Sequence, residues 1–311
     1  AMLIGIAAGT VGRSPDAGLG AAMGGQQLAQ RGLFSFTRGM ENAADQAALY
    51  ALDQVGWSAR GLLALFARMQ EQDALVDDMQ DPYLRTHPLT RNRIEAVRAH
   101  VAASPYADAK LPAGFDSGFL MVRAKLRGFL EPSSLTLRRI RADDIAAPAR
   151  YARGIALYRL GRIDEALAVI GGLLAEQPSN PWLHELKGQI LFEGGRGAAA
   201  IAPYREAARL APDQTPIRAA LARAMIETGE PAQLRQAIGH LQSALAREHD
   251  DADSWRALGT AWGRLGEMGQ ADLALAEEAL VIGDIPRARM LARRAEKQLP
   301  AGPWRLRAAD L

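Results

Sequence analysis

Gly154, Gly161, Ala166, Leu173 and Pro178 are answered by Gly188, Gly195, Ala200, Ala207 and Pro212, each 34 positions later. That recurrence constrains the chain more than any other feature. A period of this length with small residues inside the helical segments and Gly and Pro at their ends describes a helical hairpin that buries only one face, so copies must stack to complete a core. Composition agrees. Ala, Leu and Arg dominate, aromatic residues make up 6% of the chain, and 49% of it is hydrophobic, which favours helices and predicts no sheet of any size. The expected fold class is all-α.

A third copy runs from about Thr215, with Ala222 and Gly229 in register and Ala237 and Ala244 displaced by the short insertion "EPAQLR". The fourth opens on "WRALGTAW", Trp255 to Trp262, a Trp-x-x-Leu-Gly-x-x-aromatic run that resembles the signature of the tetratricopeptide repeat. Asp284 and Pro286 start a last hairpin helix that Pro300 stops, and "GFLMVRAKLRGFL" with "SLTLRRI" reads as a degenerate first hairpin bent at Pro132 and Ser133. The resemblance implies a superhelix whose groove binds proteins or peptides. Arg153, Arg159, His184, Lys187 and Arg256, all on first helices, are its candidate lining residues.

Charge excludes some partners. A net charge of +2 with a pI near 9.0 gives no nucleic-acid footprint, and "RARMLARRAEK" reads as a solvated helix face. The absence of Cys rules out disulfides and thiol chemistry. "AMLIGIAAGTVG" is apolar but much shorter than the roughly 20 residues of a membrane span, and it lacks the charged start of a signal peptide. An apolar run that begins at Ala1 is expected to be a cut end, able to drive self-association, and "GRSPDAGLGAAMGGQQLAQRG" is expected to be a loosely packed loop or a lid.

The N-terminal third carries the chemistry. From Phe36 to Gly56 the apolar spacing predicts a helix closed by Gly56, and Glu41 and Asp45 stand one turn apart on one face of it. If both point inward they need a cation, because an unpaired buried carboxylate is costly. "ARGLLALFARMQEQ" predicts a second helix and Thr90 to Val101 a third. Between them Pro88 disfavours helix at His87 and holds it in an extended loop.

Glu41-x-x-Ala44-Asp45, the Gly56-Trp57 turn, "LLALFARM", then Thr86-His87-Pro88 with Arg93 behind it together resemble the BepA-like zinc metallopeptidases, bacterial envelope relatives of the CAAX-prenyl-protease-type peptidases. The resemblance spans Ser35 to about Val101 and, for the repeats that follow such proteases, about Phe115 to Leu299. It implies Glu41 as the third protein ligand of a catalytic zinc and Asp45 as a carboxylate behind the metal that orients a histidine ligand. It places His87 over the metal as an additional ligand or switch, with Arg93 fixing that loop, and it implies a periplasmic or envelope location, although the cytoplasm also suits a chain without Cys.

The sequence departs from the family at one point. The two histidines and the general base of such enzymes come from HExxH, which occurs nowhere in the sequence; none of His87, His100, His184, His240 and His249 has another four positions away. The family order would place that helix ahead of Ala1, so the expected layout is the C-terminal part of a metalloprotease domain (1–110), a degenerate hairpin or linker (111–146), repeats (147–299) and a tail (300–311). Two readings stand: part of a zinc metalloendopeptidase with a substrate-holding array, or a non-catalytic repeat scaffold. A cytosolic regulatory repeat protein gains nothing from Glu41 and His87. Glu41 and His87 fall short of three zinc ligands, so this chain alone is predicted neither to hold zinc tightly nor to cleave peptides.

Overall fold

The computed structural model describes residues 39–73, 91–141 and 143–311. The apolar opening, the glycine-rich segment and His87 lie outside the described residues. All secondary structure among the described residues is helical, as the composition requires, and the chain divides into two compact units, 1–116 and 117–311.

In the first unit, α1 (39–54), α2 (Arg60–Asp73) and α3 (Arg91–Ala103) pack around Leu49, Phe66, Ile94, Val97 and Val101. Gly56 ends α1 at φ 68°, a left-handed conformation that glycine adopts without Cβ strain. Polar ties set the register of the segments. Asp53 at the end of α1 receives Ser104 Oγ at 3.0 Å and lies 3.2 Å from His100 Nε2, while Arg60 Nε donates to the carbonyl of Ala107 at 3.0 Å.

Helix α4 (Phe115–Leu130) leads into the second unit, where α5 (Ser133–Arg139) precedes the regular hairpins. These are α6 (Ala147–Arg159) with α7 (Ile163–Glu176), α8 (Pro181–Glu193) with α9 (Gly197–Leu210), α10 (Thr215–Glu227) with α11 (Pro231–Leu245), and α12 (Ala252–Arg264) with α13 (Met268–Val281). Last come α14 (Ile285–Gln298) and α15 (Pro303–Asp310). The chemistry at the helix ends recurs with the period. Asn180, Asp251 and Asp284 cap α8, α12 and α14 by accepting backbone N–H bonds, and Pro enters the first turn of α6, α8, α10, α11 and α14. Within each hairpin a small residue admits its partner. Gly154 faces Ile170 and Gly188 faces Tyr204, so closely that a methyl group at either glycine would stand 2.7 Å from the neighbouring side chain.

Residues 300–311, read from sequence as a tail, contain α15, whose Ala308 is buried. What docks it was not visible in the hydrophobic pattern. Helix α13 buries Asp272, Glu277 and Glu278 along with its apolar residues, and each carboxylate meets an arginine from another helix. Arg294 of α14 reaches Asp272 at 2.9 Å, Arg256 of α12 reaches Glu278 at 2.8 Å, and Arg307 of α15 grips Glu277 through both oxygens at 2.5 and 2.9 Å. Breaking a buried pair from one side leaves a desolvated charge without its counterion. Arg307→Ala is therefore expected to release α15, raising amide exchange across 303–310 at least about tenfold while α8 and α9 keep their protection; unchanged exchange in α15 would show that its apolar contacts alone hold it.

Candidate metal-site scaffold and repeat groove

Helical spacing puts Glu41 and Asp45 on one face of α1, and the fold turns that face inward. Asp45 is 8% exposed and the Glu41 side chain 13%. The cation that burial demands is Arg93 in the first turn of α3, itself 6% exposed. Its Nε and Nη2 donate to Asp45 Oδ2 and Oδ1 at 2.6 and 2.9 Å, a forked pairing that fixes both planes, and Nη1 stands 3.1 Å from Glu41 Oε2. The Phe66 ring of α2 lies 5.2 Å from the guanidinium carbon, so a cation–π contact backs the ion pairs. All three helices thus converge on Arg93.

The site residues read from sequence fall into two groups. Glu41, Asp45 and Arg93 come together; His87, and the loop that Arg93 was expected to fix, lie outside the described residues. No other described His, Cys, Asp or Glu joins the two carboxylates closely enough to make a group of three metal ligands. By themselves these residues do not fit a catalytic zinc, which takes three protein ligands with imidazoles prominent among them. The described geometry is that of a rigid support: two oriented carboxylates on one face of α1, locked from behind by a buried arginine.

The repeats hold a cavity of about 500 Å³ whose lining includes Trp182, Glu185, Gln189 and Glu193 of α8, Tyr204 of α9 and Arg223 of α10. Burial, with the Glu185 charge adding, pushes the Tyr204 phenol up, so it meets a ligand as a neutral hydroxyl. Lys125 pairs with Glu185 at 3.3 Å and sits 5.8 Å from the Trp182 ring centre. None of the five groove candidates from sequence is in the lining of this cavity. His184 Nε2 lies 2.8 Å from the carbonyl of Pro178, Arg159 donates to the carbonyls of Gly128 and Glu131 at the end of α4, and Arg256 is engaged by Glu278 and Asp253. Arg153 and Lys187 are half-buried. Counting from the helix cap would have found the lining: Trp182, Glu185, Gln189 and Glu193 follow Asn180 by 2, 5, 9 and 13 positions, one stripe of α8.

Comparison with known proteins adds relatives for both parts of the chain. Residues 2–101 match peptidase family M48, and residues 151–215 and 191–260 match the tetratricopeptide repeat. The beta-barrel assembly-enhancing protease of Yersinia pestis is 26% identical over 303 residues, covering 93% of this chain and 59% of that protein. The protein of the same name from Escherichia coli (strain K12) is 26% identical over 300 residues with the same coverage. The chain therefore spans 59% of the length of these curated relatives. Among solved structures, "MamA MSR-1 C2" aligns with 54% of this chain and 95% of its own at a TM-score of 0.46 and 17% identity. The inward acidic pair and the stacked hairpins thus lie in segments with separate relatives, and the chain carries a segment that matches peptidase family M48 followed by segments that match the tetratricopeptide repeat.

Proposed function

We propose that this chain is part of a zinc-dependent metalloendopeptidase of the bacterial envelope, with the repeats holding the protein substrate or a partner assembly. The observation that carries the reading is the pair Glu41 and Asp45, turned inward and locked by Arg93 within the segment that matches the peptidase family. In this reading Glu41 would supply one carboxylate ligand and Asp45 would steer an imidazole ligand, with His87, outside the described residues, as an additional ligand or switch; the remaining ligands and the general base would come from an HExxH helix that these 311 residues do not contain. Zinc bound there would supply Lewis acidity toward the scissile carbonyl. Arg93 holds both carboxylates in place, so a metal would meet a preformed face.

The test is the complete reading frame, expressed with whatever precedes Ala1 and compared with this chain alone. The expected protein carries HExxH, binds one zinc and cleaves casein. Asp45→Asn in that protein weakens zinc binding by about 10–100-fold, and Glu41→Gln weakens it more. This chain alone is expected to contain substoichiometric zinc by elemental analysis and to cleave nothing. A frame without HExxH would leave a repeat scaffold instead, and stoichiometric zinc in this chain alone would refute the incomplete ligand set.

A further inference from the structure

Four of the eight arginines of the last two hairpins are engaged with carboxylates. Arg256 and Arg287 reach Glu278, Arg294 reaches Asp272 and Arg307 reaches Glu277. Arg289, Arg293 and Lys297 differ: all three are exposed on α14, and no ion pair or side-chain hydrogen bond joins them to any described residue. They stand four apart in sequence, so they form a single row of like charge with about 6 Å of helix rise between neighbours. Such a row is unfavourable in the free protein, since like charges at this spacing repel. An anion laid along it removes that cost.

The place of the row on its helix identifies the kind of anion. Pro286, Arg289, Arg293 and Lys297 follow the cap residue Asp284 by 2, 5, 9 and 13 positions. Those are the offsets at which Trp182, Glu185, Gln189 and Glu193 of α8 line the 500 Å³ cavity. The cationic row therefore occupies the ligand-facing stripe of the last hairpin, and with Met290 and Arg294 it borders its own open depression. The stripe changes sign along the array, with Glu185 and Glu193 on α8 and three cations on α14.

We propose that α14 docks an extended acidic segment of a protein partner, with carboxylates on alternate residues. An extended strand puts alternate side chains on one side about 6.6 Å apart, close to the rise between successive cations of the row. The row is one side chain wide, and among the described residues Met290 is the large apolar side chain lining the depression beside it, with Ile285 one turn ahead of Arg289, whereas a lipid surface would call for a broad basic face with several apolar residues to insert. This deepens the reading of the repeats as a protein-holding array and rests on it; it is independent of the metal chemistry.

The experiment measures binding of the full chain, by fluorescence anisotropy, to a short labelled peptide alternating serine and aspartate, to its serine–asparagine twin, and to vesicles containing phosphatidylglycerol. The acidic peptide is expected to bind at least about tenfold more tightly than its twin and to weaken as salt rises. The double variant Arg289→Gln, Arg293→Gln is expected to lose about tenfold in affinity with no fall in melting temperature, because it relieves repulsion and disturbs no buried contact. Trp182→Ala should leave acidic-peptide binding unchanged. Equal binding of both peptides, weakened by Trp182→Ala, would overturn the proposal and preserve the array reading. Absence of peptide binding would remove both, and binding to vesicles alone would replace the protein partner with a membrane.

Discussion

Arg93→Ala is expected to cost the first unit about 3–5 kcal/mol, the range found when one member of a buried ion pair is removed. Asp45 would remain 8% exposed with neither of its guanidinium bonds, and Glu41 would lose the cation 3.1 Å away. Domains commonly hold only about 5–15 kcal/mol in total, so α1 and α3 should lose most of their amide-exchange protection while the repeats keep theirs. Arg93→Lys should fall between, because an ammonium keeps the charge but cannot span both oxygens of Asp45 and reach Glu41 in one plane. A double variant, Arg93→Met with Asp45→Leu, should recover much of the loss, since the buried charge then leaves with its partner. If Arg93→Ala kept wild-type protection in α1, the arginine would not be what holds the acidic face, and the proposed support for a metal would lose its basis.

The sequence showed the problem at this site but not its solution. Four-residue spacing is local, so Glu41 and Asp45 could be placed on one face and the need for a cation stated. The cation comes from 48 residues further along the chain, and no periodicity links Arg93 to Asp45. The same limit applies to α13. Asp272, Glu277 and Glu278 look like ordinary surface charges in sequence, and only the arrival of Arg294, Arg307, Arg256 and Arg287 from other helices makes their burial tolerable. The repeats were legible because their information is local and recurrent. A cap, a small residue and a closing glycine at fixed offsets fix each hairpin, and the stacking follows from the face left apolar.

The small residue in each hairpin is the strictest of those requirements. Gly188 should be replaceable by helix propensity alone, since alanine is better in a helix interior by about 1 kcal/mol. Packing reverses that expectation. A Cβ on Gly188 would lie 2.7 Å from both Cγ and Cδ1 of Tyr204, where carbon atoms normally sit about 3.5–4.0 Å apart. The obstacle is the root of an aromatic ring on a side chain only 4% exposed, so it cannot swing away as a flexible tip could. The α8–α9 pair must open instead. Gly188→Ala is therefore expected to destabilise by about 2 kcal/mol net, lowering the melting temperature of the array by about 4–8 °C. Gly171→Ala, on a helical glycine with no atom within 4 Å of the added carbon, should be neutral or stabilising by up to about 1 kcal/mol. Adding Tyr204→Ala to Gly188→Ala should cost less than the two single changes summed, because the clash requires both groups. Strict additivity would mean that the close approach of α8 and α9 is not what Gly188 provides, and the recurrence of small residues every 34 positions would then need another cause.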